Sequence, residues 1–126
     1  MSGGLFRVTR EISQARIAAY ADASGDHNAI HVDEAFATTT PFGGTIAHGM
    51  LVLALIGETM FAARGAAWLS TGKLKVRFKA PTRPGDTVTA SAELTKQLDS
   101  VSEYAVRCTN QRDEVLIEGR ATVAAS

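Results

Sequence analysis

The chain is short of two things that would narrow its chemistry at once. It has a single cysteine, Cys108, and no excess of either charge, thirteen Lys and Arg being matched by thirteen Asp and Glu. One thiol cannot close an internal disulfide, so a reducing compartment, the cytoplasm, is the expected home. A zero charge balance excludes binding to nucleic acid or to a membrane surface through bulk charge. Long apolar runs are missing too. The longest, Ile46 to Gly57, is twelve residues with His48 inside it, where a bilayer span needs about 20. The start, MSGGLFRVTREIS, lacks the apolar core of a signal peptide. With no repeats and no low-complexity tail, one soluble domain is expected over residues 1–126, long enough to bury its own core.

What is present is concentrated. SGDHNAIHVD, residues 24–33, holds Gly25, Asp26, His27, Asn28, His31 and Asp33, and the third histidine, His48, follows in TIAHGM. Around this segment the pattern is helical. A short strand over 5–9 is expected first. Ser13 then suits an N-cap, with Ile12 and Ile17 as a hydrophobic staple, and Gly25 a stop. Residues 24–33 are expected as loop. Asp33 can cap a short helix, EAFATT, that Pro41 and Gly43-Gly44 end. From about Ile46 to Ala63 the sequence is helical and apolar on nearly every side, which predicts a helix wrapped by other structure.

After Gly65 the period changes to two. Leu74, Val76, Phe78 and Ala80 alternate with Lys73, Lys75, Arg77 and Lys79, and further alternating runs pass through Val88–Thr95, Tyr104–Cys108 and Val115–Val123. PTRPGD (81–86), Asp99-Ser100 and Gln111-Arg112-Asp113 supply turn chemistry. Four strands in an antiparallel meander are therefore expected after the helix. Strands of ten to thirteen residues reach roughly 33–43 Å, whereas an eighteen-residue helix spans about 27 Å. Such a sheet can curl round the helix. His27 and His31 have the spacing of a metal pair on a helix, but they follow Gly25 in a loop, and no metal is expected. Cys108 falls on the apolar face of its strand, as inert core.

YADASGDHNAIHVDEAFA (20–37) resembles the signature of the MaoC-like, (R)-specific enoyl-CoA hydratases of the hotdog-fold superfamily. That signature runs from an aromatic residue to Ser-Gly-Asp-x-Asn-Pro-Ile/Leu-His and then a small residue. TIAHGML (45–51) and VRFKAPTRPGD (76–86) agree with it, in the family's order. Ala29 stands where the family usually has proline, leaving the loop freer at φ. The resemblance implies an α+β hotdog fold, a curved antiparallel sheet wrapped around one long central helix. It implies addition of water to trans-2-enoyl-CoA to give (R)-3-hydroxyacyl-CoA, or the reverse dehydration. Coenzyme A enters as the substrate's carrier, and no cofactor is expected.

A carboxylate and an imidazole five residues apart in a loop can converge on one water. The resemblance gives these roles to Asp26 and His31. Asn28 either orients that water or holds the loop through backbone groups. The thioester oxygen needs a donor where charge develops, and the resemblance points to the Gly49 backbone N–H at the start of the central helix. With Thr45 as N-cap that N–H would be bonded inside the helix, so the role requires a later start. Gly25, His48 and Met50 are expected beside the substrate, His48 either as a support behind the reacting residues or as a packing residue, and not as a catalyst. Lys73, Lys75, Arg77 and Lys79 form either a solvated stripe that guards an edge or, with Arg64 or Arg83, part of a contact to coenzyme A phosphates.

Two rivals remain. A thioesterase on the same fold would want a carboxylate on the central helix, and Glu58 lies about 13 Å along the axis from Gly49; it suits solvent or a dimer contact better. A non-catalytic acyl-thioester binder gains nothing from burying two titratable groups. The expected partners are an acyl-CoA or acyl-carrier-protein substrate and a second copy of the chain, as homodimer or dimer of dimers, with neither nucleic acid nor membrane.

Overall fold

The computed structural model describes residues 4–125; expectations reaching 1–3 and 126 lie outside the described residues. In chain order the elements are β1 (Leu5–Ile12), α1 (Gln14–Ser24), α2 (Ala29–Val32), α3 (Glu34–Ala37), α4 (Gly49–Arg64), α5 (Ala66–Thr71), β2 (Lys73–Phe78), β3 (Asp86–Gln97), β4 (Val101–Thr109) and β5 (Val115–Ala124). The five strands make one sheet in the order β1-β3-β4-β5-β2, with every neighbouring pair antiparallel. α4 lies against its concave face, packed on β1, β3 and β4. This is the α+β architecture of a sheet wrapped on one long helix.

Local signals place the ends of the early elements. Ser13 Oγ accepts from Arg16 N at 3.1 Å, and Ile12 and Ile17 on either side of this cap are both buried. Gly25, at φ 79°, closes α1 in the left-handed region that favours glycine. Asp33 caps α3 by accepting from Phe36 N at 3.1 Å. The strand expected over 5–9 continues to Ile12, and the loop expected over 24–33 contains the helical turn α2.

Three expectations change. Only β3-β4-β5 is a meander; β2 crosses to the far edge and pairs with β5, while β1 takes the edge beside β3. Alternation names the faces of a strand but not its partner. PTRPGD does hold a turn, Asp86 N donating to Arg83 O at 3.0 Å, but the turn belongs to a crossover that also bonds to other segments: Ala47 N donates to Thr82 O at 2.8 Å and Lys79 N to Leu116 O at 2.8 Å. Second, α4 begins at Gly49 and not near Ile46. The preceding donors are taken by neighbours, Ile46 N by Ile30 O at 3.1 Å and Ala47 N by Thr82 O, so no helical turn is needed to satisfy them. Third, α4 is covered on one side within this chain. Val52, Leu55, Ile56, Thr59 and Met60 are buried, whereas Met50 and Phe61 are exposed. The short helix α5 was not anticipated at all; its six residues carry no readable period.

Small residues on the concave face let the helix come close. Ala90 and Ala92 of β3 are fully buried in the core with α4's Val52, Leu55 and Ile56, and burying each of those three large side chains stabilises the fold by about 1.5–3 kcal/mol. Gly119 serves the sheet itself: a Cβ there would lie 2.1 Å from the Lys75 carbonyl oxygen across the β2–β5 pair. Cys108 is buried beneath α4, its Sγ 3.7 Å from Val52 O, and burial pushes its thiol up to about 12. No helix among the described residues is long and apolar enough to cross a membrane.

Candidate active site

Asp26 leaves α1 directly after the Gly25 cap. Its own N–H donates to Ser24 Oγ at 3.2 Å, and its Oδ1 accepts from Asn28 N at 3.2 Å. Asn28 Oδ1 in turn accepts from Ile30 N at 3.0 Å and caps α2. Of the two roles open to Asn28, the side-chain oxygen performs the one that holds the loop. The single turn of α2 then carries His31 back towards Asp26. His31 Nδ1 lies 2.8 Å from Ile46 O. A carbonyl oxygen only accepts, so Nδ1 carries the proton and Nε2 keeps its lone pair in the neutral ring. That Nε2 faces Asp26 Oδ2 at 3.9 Å.

Such a gap is too long for a direct hydrogen bond. It is wide enough for one oxygen to sit about 2.8 Å from both atoms. His31 is mostly buried, with 12% of its side chain exposed, while Asp26 is 53% exposed, so the pair opens outward through the carboxylate.

His48 stands behind both. Its Nε2 donates to Asp26 O at 2.9 Å, and its ring stacks on His31 with centroids 3.8 Å apart and planes at 25°. The Tyr20 ring packs against it in a T-shaped arrangement, centroids 4.8 Å apart and planes at 63°. His48 is also the N-cap of α4. Leu51 N and Val52 N bond its carbonyl at 3.1 and 3.4 Å. Gly49 and Met50, the first two residues of the helix, therefore keep N–H groups with no partner inside it, at the positive end of the dipole. Gly49 borders a cleft of about 370 Å³ whose walls include Phe42, Ile46, Val52, Phe78 and Ile117, with Lys79 beside them. A Cβ at Gly49 would stand 3.0 Å from Phe78 Cε1, so glycine here lets that ring lie over the helix start.

A family model for the MaoC like domain matches residues 4–115. The chain belongs to the MaoC-like family. An (R)-specific enoyl-CoA hydratase of Rhodospirillum rubrum is 38% identical over 121 residues, covering 92% of this chain and 81% of that protein. A 3-hydroxybutyryl-CoA dehydratase of Methylorubrum extorquens is 36% identical over 118 residues, covering 90% and 73%. Among solved structures, an (R)-hydratase from A. caviae involved in PHA biosynthesis superposes with a TM-score of 0.87 at 31% identity, over all of this chain and 98% of that one. These relatives are named as hydratases and dehydratases, which are lyases. The hotdog architecture expected from the motif is the one these neighbours share.

In this MaoC-like chain the fold gathers Asp26, Asn28, His31, His48 and Gly49 in one place. Of the expected site residues only Gly49 lines the cleft itself; Asp26, Asn28, His31 and His48 reach it through the start of α4, while Gly25 serves as the cap of α1 and Met50 is an exposed residue of α4's first turn. Asp26, His31 and His48 do bring possible ligand atoms within 4.8 Å of one another. One nitrogen of each ring already donates to a carbonyl, which leaves His31 Nε2, His48 Nδ1 and the Asp26 carboxylate as the free atoms of this group. His27, the other half of the HxxxH spacing, turns away to Asp22 Oδ1 at 2.9 Å.

Several supporting residues had no sequence signal. Gln14 Nε2 donates to His31 O at 3.0 Å, and Thr45 Oγ1 reaches Gln14 Oε1 at 3.0 Å and Glu34 Oε1 at 3.1 Å. This network ties α1, α3 and the extended segment before α4 around the His31 turn. Each member is a polar residue of a kind found on any surface. Phe42 and Phe78, which wall the cleft, looked like ordinary apolar positions.

Proposed function

We propose that this protein adds water to a trans-2-enoyl thioester of coenzyme A to give the (R)-3-hydroxyacyl product, and catalyses the reverse dehydration. The observation that carries the reading is the 3.9 Å gap between Asp26 Oδ2 and His31 Nε2. Every other polar contact of these two side chains fixes them in place and leaves the facing atoms free. A water held there is deprotonated as its oxygen bonds to the β-carbon. The π electrons of the double bond move to the α-carbon and thioester oxygen, where the Gly49 N–H stabilises the enolate. The proton taken from water returns through the same pair to the α-carbon. Both deliveries come from one face, which with the family likeness implies the (R) product.

The acyl chain occupies the cleft between Phe42, Phe78 and Ile117, and the phosphates of the carrier meet Lys79 and Arg83. Lys79 stands at the cleft wall, and Arg83 Nη1 donates to the Phe42 carbonyl beside it. Lys75 and Arg77 line a separate depression on the convex face with Arg107 and Arg120. Arg64 donates to Ala124 O at the far end of α4, about 22 Å along the axis from Gly49. A homodimer is part of the proposal, since no described strand pairs with the outer edge of β2, and Phe78 at its end is 54% exposed. A cytoplasmic location rests on the single buried thiol.

A thioesterase reading finds less support. Glu58, the acid on the central helix, is held by Arg10 at 2.6 Å on the side chain's exposed flank. The deciding experiment supplies a short trans-2-enoyl-CoA and follows enone absorbance and free thiol together. Loss of the enone without thiol, with an (R) product, is expected. Thiol released as fast as the enone disappears would move the assignment to hydrolysis, absence of both signals to a binding protein, and an (S) product would overturn the one-face geometry.

A further inference from the structure

We propose that His48 is the positioning residue of the acid–base pair, holding Asp26 by its backbone and His31 by its ring; the proposal rests on the hydratase reading above. The need for such an anchor is visible in the loop. Asp26 is half exposed, and its side chain is held only by the N–H of Asn28, two residues along the same loop. The bond from His48 Nε2 to Asp26 O, at 2.9 Å, is the contact that ties this loop to the start of α4. The second partner has a different freedom to lose. A ring held at one nitrogen, as His31 is by Ile46 O, can still pivot about that bond. The face of His48, 3.8 Å away and 25° from parallel, removes the pivot, and the Tyr20 ring packs against His48 in turn.

The side chain's chemistry supports a role beyond filling space. His48 is 3% exposed, and its Nδ1 is buried with no partner among the described residues. An unpaired buried nitrogen is a cost that phenylalanine in the same space would not carry. What histidine offers in exchange is the Nε2–H aimed at Asp26 O. Because the Asp26 oxygen only accepts, the proton must be on Nε2. His48 also precedes Gly49, so one residue registers the water-holding pair against the N–H that faces the thioester oxygen.

Two variants separate the two contacts: His48→Phe keeps a ring and loses the donor, and His48→Gln keeps a donor and loses the ring. Each is made alone and in the Asp26→Asn background, and steady-state hydration of a short trans-2-enoyl-CoA is measured. Each single variant is expected to lower kcat about 10- to 100-fold, the scale of a misplacement near 1 Å, with KM within about threefold. In the Asp26→Asn background the further loss should be under about twofold, because the residue acts through a pair already disabled. Fully additive losses, or a raised KM at unchanged kcat, would overturn the proposal. A near-normal Asp26→Asn enzyme would instead sink the acid–base pair itself, whereas an inactive Asp26→Asn beside fully active His48 variants would sink only the role of His48. Should neither variant fold, long-range 1H–15N spectra of the wild-type histidines still decide: His48 must be the Nε2–H tautomer, and Nδ1–H would refute the assignment.

Discussion

Replacing Asp26 by asparagine changes one atom and one charge, and the loop geometry says which atom. Asp26 Oδ1 accepts from Asn28 N at 3.2 Å, a bond the asparagine oxygen can keep. Keeping it pins the amide so that Nδ2 takes the place of Oδ2, facing His31 Nε2 across 3.9 Å. A hydrogen-bond donor then faces the His31 lone pair where the carboxylate offered an acceptor. A water between them loses one of its two acceptors, and the amide cannot take up the proton that the carboxylate could. The loss expected in kcat is at least ~10²-fold, or about 2.7 kcal/mol on the barrier. Folding should barely respond. The Asp26 side chain is 53% exposed, and substitutions at such positions usually stay within about 0.5 kcal/mol. His31→Ala should cost as much in turnover, and more in stability, because it also removes the bond to Ile46 O. The assay is loss of enone absorbance from a short trans-2-enoyl-CoA, with thermal unfolding measured on the same preparations. A folded Asp26→Asn protein with kcat within about threefold of wild type would refute the chemistry assigned to this pair.

Burial pushes the Cys108 thiol up to about 12 from an ordinary 9.0. Only about 10⁻⁴ of it is thiolate at pH 8, so a disulfide reagent should modify it no faster than the protein unfolds, and prompt labelling of native protein would contradict this. The same shift makes stability fall as pH rises from about 9 to about 12, by up to ~4 kcal/mol, because the unfolded thiol ionises first; denaturant titrations that stay flat across that window would count against it. Binding of coenzyme A should weaken steadily with added salt and weaken further in Lys79→Ala, since a chain of zero net charge must meet the phosphates through local cations. Affinity that ignores ionic strength would point to recognition of the acyl group or of a carrier protein.

The parts of the fold that were legible are those written in nearest neighbours. Ser13, Gly25 and Asp33 mark helix ends through bonds made within three or four residues, and the alternation of Leu74, Val76, Ala90, Ala92, Val106 and Cys108 gives the inward face of β2, β3 and β4, although Phe78 at the end of the same series is exposed. Partner choice was not legible. The crossover of β2 to β5 depends on Gly119 admitting the Lys75 carbonyl at close range and on donors of the connecting segment bonding to Leu116 and Thr82, contacts that no period records. The start of α4 was misplaced for a related reason. Ile46 and Ala47 have the composition of a helix, but Ile30 O and Thr82 O take their polar hydrogens, and the helix waits until Gly49. That delay is what frees the Gly49 N–H. The site therefore depends on a boundary set by tertiary bonds.

The departure from the family motif at Ala29 can now be placed in physical terms. Asn28 is the N-cap of α2, so residue 29 is its first helical position. Proline is favoured there because its missing N–H would have no helical partner and its fixed φ suits the helix. Alanine meets the same geometric demands and gives up only the restriction of the unfolded loop, worth about 0.4–1 kcal/mol. The turn that presents His31 is held instead by bonds from outside it: Gln14 to the His31 carbonyl, Ile46 to the Ile30 carbonyl, and the His31 ring to Ile46 O. A loop with less rigidity of its own thus relies more on the segment before α4. That segment runs from Thr45 to His48, the residues that touch Glu34, Ile30, Thr82 and Asp26 in turn. Pre-organisation of the pair is in this chain a property of the helix entrance as much as of the motif.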